Sequence, residues 1–274
     1  MLVSPFGKAA WHPCDATHLR TVISQSSPPL NPGYIPRAIV CPHAGYKYCA
    51  GVLGRMMALT AAGNYQRVLI LGPSHHQALG DAIAIPRADS MSTALGTQVV
   101  DQVFFARSNW PFIRDDSIHA QEPSTWMMLP YLQYHHPQIK VCPCIVGELS
   151  WDTVLAFAQL LTVMLDESTL LVISSDFTHY GAAFSHTPMV ADVAAGVKQL
   201  DDCAIDFIAK NDALGFWRWC MREQPTICGR YALAILLAWM HDLQIVDRRY
   251  LRSADISGDW THSVSYVGLA LARR

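Results

Sequence analysis

Short apolar runs that alternate with segments of helical spacing limit most strongly what this chain can fold into. Residues 37–41 (RAIVC), 67–71 (RVLIL) and 170–175 (LLVISS) have the length and composition of buried strands. Residues 51–62 and 151–165 have the apolar spacing of helices. Strands that are apolar along their whole length, with helices between them, are typical of a parallel sheet covered on both faces. The sequence therefore predicts an α/β fold.

The same reasoning predicts the other elements and the domain organisation. Further strands are expected at 81–85, 139–146, 245–252 and 264–271. Further helices are expected at 122–134 and 231–240, with two or three helices in all between 189 and 242. There is no internal repeat and no linker long enough to separate two domains. We therefore expect a single domain over residues 1–274, a sandwich with a central, mostly buried mixed sheet flanked by helices.

Composition and charge exclude several classes of protein. Hydrophobic residues make up 51% of the chain and charged residues 15%, which excludes a mostly disordered protein. The net charge is −2 and no basic stretch stands out, so nucleic acid is not an expected partner. The longest apolar run is about half a bilayer span, and the first residues lack the apolar stretch of a signal peptide. We expect no membrane association, a cytoplasmic location and reduced cysteines.

Each of the three clearest strands runs into a segment that presents histidine. RAIVC is followed by His43, RVLIL by His75 and His76, and LLVISS by Asp176 and His179. A single loop histidine more often bonds a carbonyl, and at most one of the adjacent pair need point inward. In open α/β sheets, however, ligand sites gather at the carboxyl ends of strands. If these strands are neighbours, the histidines of all three converge on one pocket.

A cysteine near the end of the chain adds a different kind of ligand. The segment TICGR precedes the apolar helical run 231–240, which places Cys228 close to a helix N-terminus. Backbone N–H groups and the helix dipole favour a thiolate there. A thiolate beside two imidazoles suits Fe(II), Cu or Zn(II). The alternative is a small buried cysteine at a helix start. By contrast, Cys142 and Cys144 lie on one side of a predicted strand, where packing is favoured.

Taken in order, these motifs resemble the Memo family, whose prokaryotic members are often labelled AmmeMemoRadiSam system protein B. The resemblance rests on PHAGYKYCAG, LGPSHH, SSDFTHYG, TICGR and the closing DWTHSVSY, and it spans nearly the whole chain. It implies the fold of class III extradiol dioxygenases, in which two histidines and a carboxylate hold non-haem Fe(II). The corresponding Memo ligands are His43, His75 and Cys228. Asp176 and His179 would line the pocket, with His179 as the acid–base catalyst.

One segment departs from the family pattern. Memo proteins usually carry Glu-His-Ser-x-Glu before a Leu-Pro pair, whereas residues 122–126 here read EPSTW. Pro123 therefore stands where a histidine is expected, and Trp126 stands where the second glutamate is expected. The two replacements predict a more apolar or a smaller pocket in this chain.

The sequence leaves three functions open. It also leaves open whether the protein catalyses a reaction at all. The first is a metal-dependent redox enzyme that uses Fe(II) or Cu. The second is a non-catalytic module that binds a phosphopeptide or a small acid, with Lys47, Arg230 and Arg252 as a basic rim. The third is a zinc-dependent hydrolase with Asp176 or His179 as base. The expected partner is a small-molecule or peptide ligand, and the resemblance also implies a functional link to a radical-SAM enzyme.

Overall fold

Strands and helices alternate along the chain, as the apolar pattern predicts. The computed structural model describes residues 1–7, 11–188 and 191–273, so residue 189, where the predicted helical region begins, lies outside the described residues. The strands are β1 (Leu2–Val3), β2 (Ala38–Cys41), β3 (Arg67–Pro73), β4 (Ile83–Ile85), β5 (Ser90–Thr93), β6 (Gly96–Val99), β7 (Ile113–Arg114), β8 (Lys140–Val146), β9 (Thr169–Ser174), β10 (His179–Gly181), β11 (Leu243–Arg252) and β12 (His262–Arg273). The helices are α1 (Ala16–Ser26), α2 (Tyr46–Thr60), α3 (Gln102–Ala106), α4 (Asp116–Ala120), α5 (Pro123–Trp126), α6 (Leu129–His135), α7 (Trp151–Met164), α8 (Val193–Lys210), α9 (Ala213–Glu223), α10 (Arg230–Trp239) and α11 (Ser253–Ser257).

Four parallel strands form the centre of the main sheet, in the order β2-β9-β3-β8. At one side, β12 pairs antiparallel with β2 and also with β10 and β11. At the other side, β4 pairs antiparallel with β8, and β7 pairs parallel with β4. A separate three-stranded sheet has the order β1-β5-β6. The predicted central mixed sheet is thus confirmed, while the single domain over 1–274 stays a prediction.

Burial explains why the central strands are apolar along their whole length. Every residue of β2 and of β9 is buried. Helix α2 packs against β2 and β12, and α10 packs against β3 and β9. A strand whose two faces are both covered shows no alternation of polar and apolar residues, and such strands are recognised from sequence by their continuous apolar runs.

Three groups of elements differ from the sequence-based expectation. Helices α1, α3, α4 and α11 were not predicted. The helix expected at 122–134 is two helices, α5 and α6. Pro130 lies in the first turn of α6, and because it has no N–H it cannot continue a hydrogen-bond ladder from α5. The strands that were not predicted are short, from two to four residues: β1, β5, β6, β7 and β10. Runs this short carry too few residues for a recognisable period.

The structure also describes the state of the cysteines and the character of the helices. All eight cysteines are free, and both Cys142 and Cys144 are buried in β8. Of the helices in the described ranges, none has the length and apolar character that crossing a bilayer requires.

A buried histidine makes the fold sensitive to acid. The side chain of His119 in α4 is fully buried, and burial lowers its pKa to about 4. The negative charges of Asp116 and Glu122 act in the other direction and raise the pKa, but by less. The unfolded chain, with a histidine pKa near 6.5, therefore binds the proton first as the pH falls. The contribution of the neutral, buried His119 to the free energy of unfolding is therefore complete above about pH 6.5. It is lost as the pH falls toward 4.

We therefore expect His119→Leu to reduce the loss of stability on acidification. Between pH 7.5 and pH 5 the free energy of unfolding of the unsubstituted chain should fall by about 2 kcal/mol more than that of the variant. Urea unfolding at the two pH values measures the difference. His18→Leu, at an exposed position, is the control and should leave the difference unchanged. Equal losses in the parent and in His119→Leu would contradict the prediction.

Candidate metal centre

Three neighbouring parallel strands end at the same edge of the sheet and deliver the predicted site residues there. His43 follows β2, Asp176 follows β9 and His75 follows β3, with β9 between the other two strands. The rings of His43 and His75 meet edge to face, with their centroids 5.0 Å apart. The convergence of strand ends that the sequence predicts is therefore present in the structure.

Cys228 completes a group of three side chains with the geometry of a metal site. One ligand atom from each of His43, His75 and Cys228 lies within 4.8 Å of the other two. The Sγ atom of Cys228 is 3.4 Å from Nε2 of His43. In a tetrahedral site with metal bonds of about 2.0–2.3 Å, neighbouring ligand atoms are about 3.5 Å apart. The donor atoms thus fit a single ion, and two imidazoles with a thiolate suit a transition metal.

The buried histidine of this group, His43, is held in the protonation state that can bind a metal. Its Nδ1 atom lies 2.8 Å from the hydroxyl of Ser174, which leaves Nε2 directed at Cys228. Burial, followed by the positive charges of His75 and His179, lowers the pKa of His43 well below its usual value. A neutral imidazole with a free Nε2 lone pair is the ligating state.

The other imidazole of the group, that of His75, is exposed and is bound to a buried carboxylate that the sequence analysis did not single out. Glu122 Oε1 lies 2.6 Å from Nδ1 of His75, and Oε2 accepts the backbone N–H of His75 at 2.7 Å. Burial lowers the pKa of His75, but hydrogen bonds to Cys228 and Glu122 outweigh it and raise the pKa to about 10. The only sequence signal for Glu122 was its match to the first glutamate of the family segment.

Cys228 lies in the loop between α9 and α10, two residues before the first residue of α10. The backbone N–H of Asp176 donates to its Sγ atom at 3.1 Å. Burial raises the pKa of the thiol, and the hydrogen bond to His75 opposes this. The helix N-terminus alone therefore does not produce the thiolate that the sequence predicts, because burial disfavours the charged form. A bound cation would supply the missing stabilisation of that charge.

Gly229 allows the Cys228 loop to approach the end of β9. A Cβ atom at Gly229 would lie 2.5 Å from Cβ and 2.6 Å from Oγ of Ser175. The Gly229 N–H donates to that hydroxyl at 3.0 Å, and the Cys228 N–H donates to the carbonyl of Asp176 at 3.3 Å. Only a residue without a side chain can make this contact unstrained.

The two residues predicted as catalytic occupy different environments. Asp176 is buried, and its Oδ1 accepts the backbone N–H of His43 at 2.9 Å, so its carboxylate is engaged in holding the His43 loop. Burial raises the pKa of Asp176. His179 is partly exposed, and its Nδ1 lies 2.9 Å from the carbonyl of Phe177 and 2.8 Å from that of Thr226. Because carbonyls only accept, Nδ1 of His179 carries a proton, and Nε2 is the free acceptor of the neutral ring.

A cavity of about 340 Å³ opens beside the ligands His75 and Cys228. Arg230 and Tyr231 of α10 also line it. The sequence predicts a more apolar or smaller pocket from Pro123 and Trp126, but neither residue lines this cavity. The Trp126 side chain is fully buried, and its indole N–H donates to the carbonyl of His119 at 2.7 Å.

A larger cavity, of about 640 Å³, lies at the opposite edge of the sheet, where β2 and β9 begin. Its charged side chains pair with one another: Arg37 lies 3.3 Å and Arg273 lies 2.6 Å from the carboxylate of Glu167. Among the residues that the structure describes, the His43, His75 and Cys228 group is the one cluster with metal-ligand geometry. Side-chain chemistry, and not cavity size, therefore identifies the candidate site.

Comparisons with known proteins point to one family. The family described as Memo-like protein matches residues 8–270. Protein MEMO1 of Xenopus tropicalis is 31% identical over 254 residues, which cover 86% of this chain and 85% of that protein. Protein MEMO1 of Homo sapiens is 30% identical over 254 residues with the same coverage, 86% and 85%. A MEMO1 family protein of Schizosaccharomyces pombe is 28% identical over 267 residues, covering 84% of this chain and 86% of its own.

A solved structure supports the fold independently of sequence. The crystal structure of an uncharacterised protein of Escherichia coli K12 superposes with a TM-score of 0.50 at 11% identity. The match covers 85% of this chain and 99% of the other chain. At this identity the likeness concerns the fold alone, and it supports the predicted extradiol dioxygenase-like architecture.

The contact at Gly229 gives a direct test of how the site is assembled. We expect Gly229→Ala to cost about 1–3 kcal/mol of unfolding free energy, because the new methyl group overlaps Ser175. Gly51→Ala is the matched control, since an added Cβ there meets nothing within 4 Å on an exposed face of α2. The control should gain about 0.5–1 kcal/mol. Denaturant unfolding measures both, and equal stabilisation by the two substitutions would contradict the described contact.

Proposed function

This chain belongs to the Memo-like protein family, and we propose that it is a metal-dependent redox enzyme whose ion is held by His43, His75 and Cys228. The observation that carries the proposal is the convergence of two imidazoles and one thiol at the edge of the sheet, beside a cavity. The family match agrees with the resemblance that the motifs indicated.

The donor set favours a redox-active metal. Thiolate is a softer ligand than carboxylate, so replacing the carboxylate of a two-histidine, one-carboxylate site shifts the preference toward softer ions and changes the reduction potential. We propose Fe(II) or copper as the resident ion; when bound, it would supply a Lewis acid and an electron carrier for oxygen chemistry on a small substrate. Zinc also fits these donors. Zinc-dependent hydrolysis is therefore the alternative that metal analysis separates from redox chemistry.

The chain's own residues provide binding and proton transfer around the ion. Carbonyls of Phe177 and Thr226 hold the Nδ1–H of His179, so Nε2 is the atom that accepts or returns a proton. Asp176 holds the backbone of His43 in place through its N–H. In this proposal His179 is the acid–base catalyst, and the role of Asp176 is to orient the metal ligand His43.

One observation favours binding without turnover as a second candidate function. Arg230 lines the cavity, its Nε atom is buried without a hydrogen-bond partner among the described residues, and its Nη1 reaches only the carbonyl of Pro225 at 3.4 Å. A guanidinium in this position suits an acidic ligand, either a small acid or a phosphopeptide. The other two predicted rim residues do not line this cavity: Arg252 pairs with Asp255 at 3.0 Å, and Lys47 lies over the ring of Tyr48.

Two further expectations do not depend on the metal centre, and the second of them rests on the family resemblance. We propose a cytoplasmic location and a functional link to a radical-SAM enzyme. Fractionation of cells and co-purification of partners from the native host test these points independently of the metal centre.

We expect the protein purified without chelator to carry about one equivalent of metal per chain, and Cys228→Ala to reduce it to trace, because the thiolate is the only anionic ligand of the three. Elemental analysis measures the metal content. Cys14→Ala, at an exposed cysteine, is the matched control and should keep the metal. Full metal content in Cys228→Ala, or trace metal in the parent protein, would overturn the proposal.

We also expect His179→Gln to keep its metal while lowering turnover by about 10²–10⁴-fold, the usual contribution of a general acid or base. Oxygen consumption with catechols measures turnover in metal-loaded samples. His262→Gln is the control, because His262 is exposed and its ring stacks on that of Phe184, which in turn meets the ring of His179 edge to face. Turnover that is unchanged in His179→Gln would remove this residue from the chemistry. Heat of binding to small acids, with no turnover by any preparation, would favour the second candidate function.

A further inference from the structure

We propose that Glu122 is the positioning residue of the metal centre. Its carboxylate fixes both the orientation of His75 and the nitrogen with which His75 faces the ion. The inference rests on the proposed metal function. It assigns a role to a residue outside the three-ligand set and outside the acid–base pair.

Both oxygens of the carboxylate bind the same residue. Oε1 lies 2.6 Å from Nδ1 of His75, and Oε2 accepts the backbone N–H of His75 at 2.7 Å. Two bonds from one rigid group, to the ring and to the backbone of one histidine, fix the ring relative to its own main chain. Charge-assisted bonds of this length are stronger than neutral ones.

Glu122 is itself held in place. Its residue exposure is 1%, and the backbone N–H of Ser124 donates to Oε1 at 3.3 Å. The hydroxyl of Ser124 donates to the carbonyl of Pro73, at the end of β3, at 2.9 Å. Gly72 leaves room for this contact, since a Cβ there would lie 2.5 Å from Oγ of Ser124. The carboxylate is thus anchored to the strand that delivers His75.

The carboxylate of Glu122 is buried beside a group that can match its charge. Among the described residues, its one ion-pair contact is with His75. A buried carboxylate is costly unless its charge is matched. The donors of His75, and beyond them the charge of an ion bound to His75, provide that match.

The same bonds decide which ring nitrogen can bind the ion. When one imidazole nitrogen coordinates a metal, the other carries the proton and donates it. The acceptor at Nδ1 keeps that proton on Nδ1, so Nε2 of His75 is the ligating atom. A carboxylate on the far nitrogen also makes the imidazole a stronger donor to the metal.

Glu122→Gln tests the inference because it keeps the size of the side chain and removes one acceptor. The carboxylate receives two N–H groups from His75, whereas an amide offers one oxygen and one donating NH₂ group. The variant must therefore leave one donor of His75 unmatched. We expect its affinity for Co(II) and for Zn(II) to fall by about 10–100-fold, the usual effect of removing such a partner. We also expect the visible absorption spectrum of the Co(II)-loaded variant to change, which reports on ligand geometry.

Two further variants make the test decisive. Glu148→Gln removes the same charge from the rim of the same cavity, at an exposed residue with no hydrogen bond or ion pair among the described residues, and it should bind Co(II) as the parent does. Glu122→Asp keeps the charge on a shorter side chain and should bind with intermediate affinity. Circular dichroism of the metal-free proteins shows whether each variant is folded. If Glu122→Gln is unfolded, the test rests on the Co(II) affinity and the Co(II) absorption spectrum of Glu122→Asp.

The outcomes separate this inference from the proposed function. Parental affinity and an unchanged Co(II) spectrum in folded Glu122→Gln, or in Glu122→Asp where that variant decides, would overturn the positioning role. Equal weakening by Glu148→Gln would also overturn it, because the effect would then come from charge at a distance. A parent protein that takes up no metal would instead overturn the metal function itself.

Discussion

The parallel pairing of β2, β9 and β3 is the constraint on which the site depends. It places three loops at one edge of the sheet, and two of them carry the imidazole ligands. Strands β2 and β3 are separated by β9, so their backbones lie about 10 Å apart, two strand spacings. Side chains that lean toward each other across this gap bring the rings to 5.0 Å. A shift in the register of either strand would move its histidine away.

Electrostatics then determines what this arrangement can hold. Burial disfavours charge on His43, Cys228 and Asp176, as the directions of their pKa shifts show. Without a cation, the site contains the neutral imidazole of His43, the protonated imidazole of His75, the thiol of Cys228 and the buried carboxyl group of Asp176 at close range. A divalent ion that binds the imidazoles and takes up the thiolate relieves these penalties together. The charges of these groups therefore favour a bound metal ion as much as the distances between their donor atoms do.

Sequence reasoning recovered the parts of the structure that have local signals. The strands that position the site are buried on both faces, and their continuous apolar runs were visible. Local signals drew attention to the segments of His43, His75 and Cys228, because two follow such strands and the third precedes an apolar helix. The family resemblance then implied these three residues as the ligand set, and they form the one candidate group among the described residues. Glu122 was missed as a partner of His75, because the contact joins residues 47 apart in sequence and leaves no local pattern. The apparent helix at 122–134 is divided at Pro130. Trp126 does not line the cavity, because its side chain is buried in the core, and the predicted change in the pocket stays a prediction.

A crystal structure of the metal-loaded protein, with anomalous diffraction measured at the absorption edges of iron, copper and zinc, tests the central claim most directly. The account predicts one anomalous peak per chain, within bonding distance of Nε2 of His43, Nε2 of His75 and Sγ of Cys228. The edge at which the peak appears identifies the ion. A peak bound elsewhere on the chain, or side chains of these residues that turn away from a common point, would contradict it.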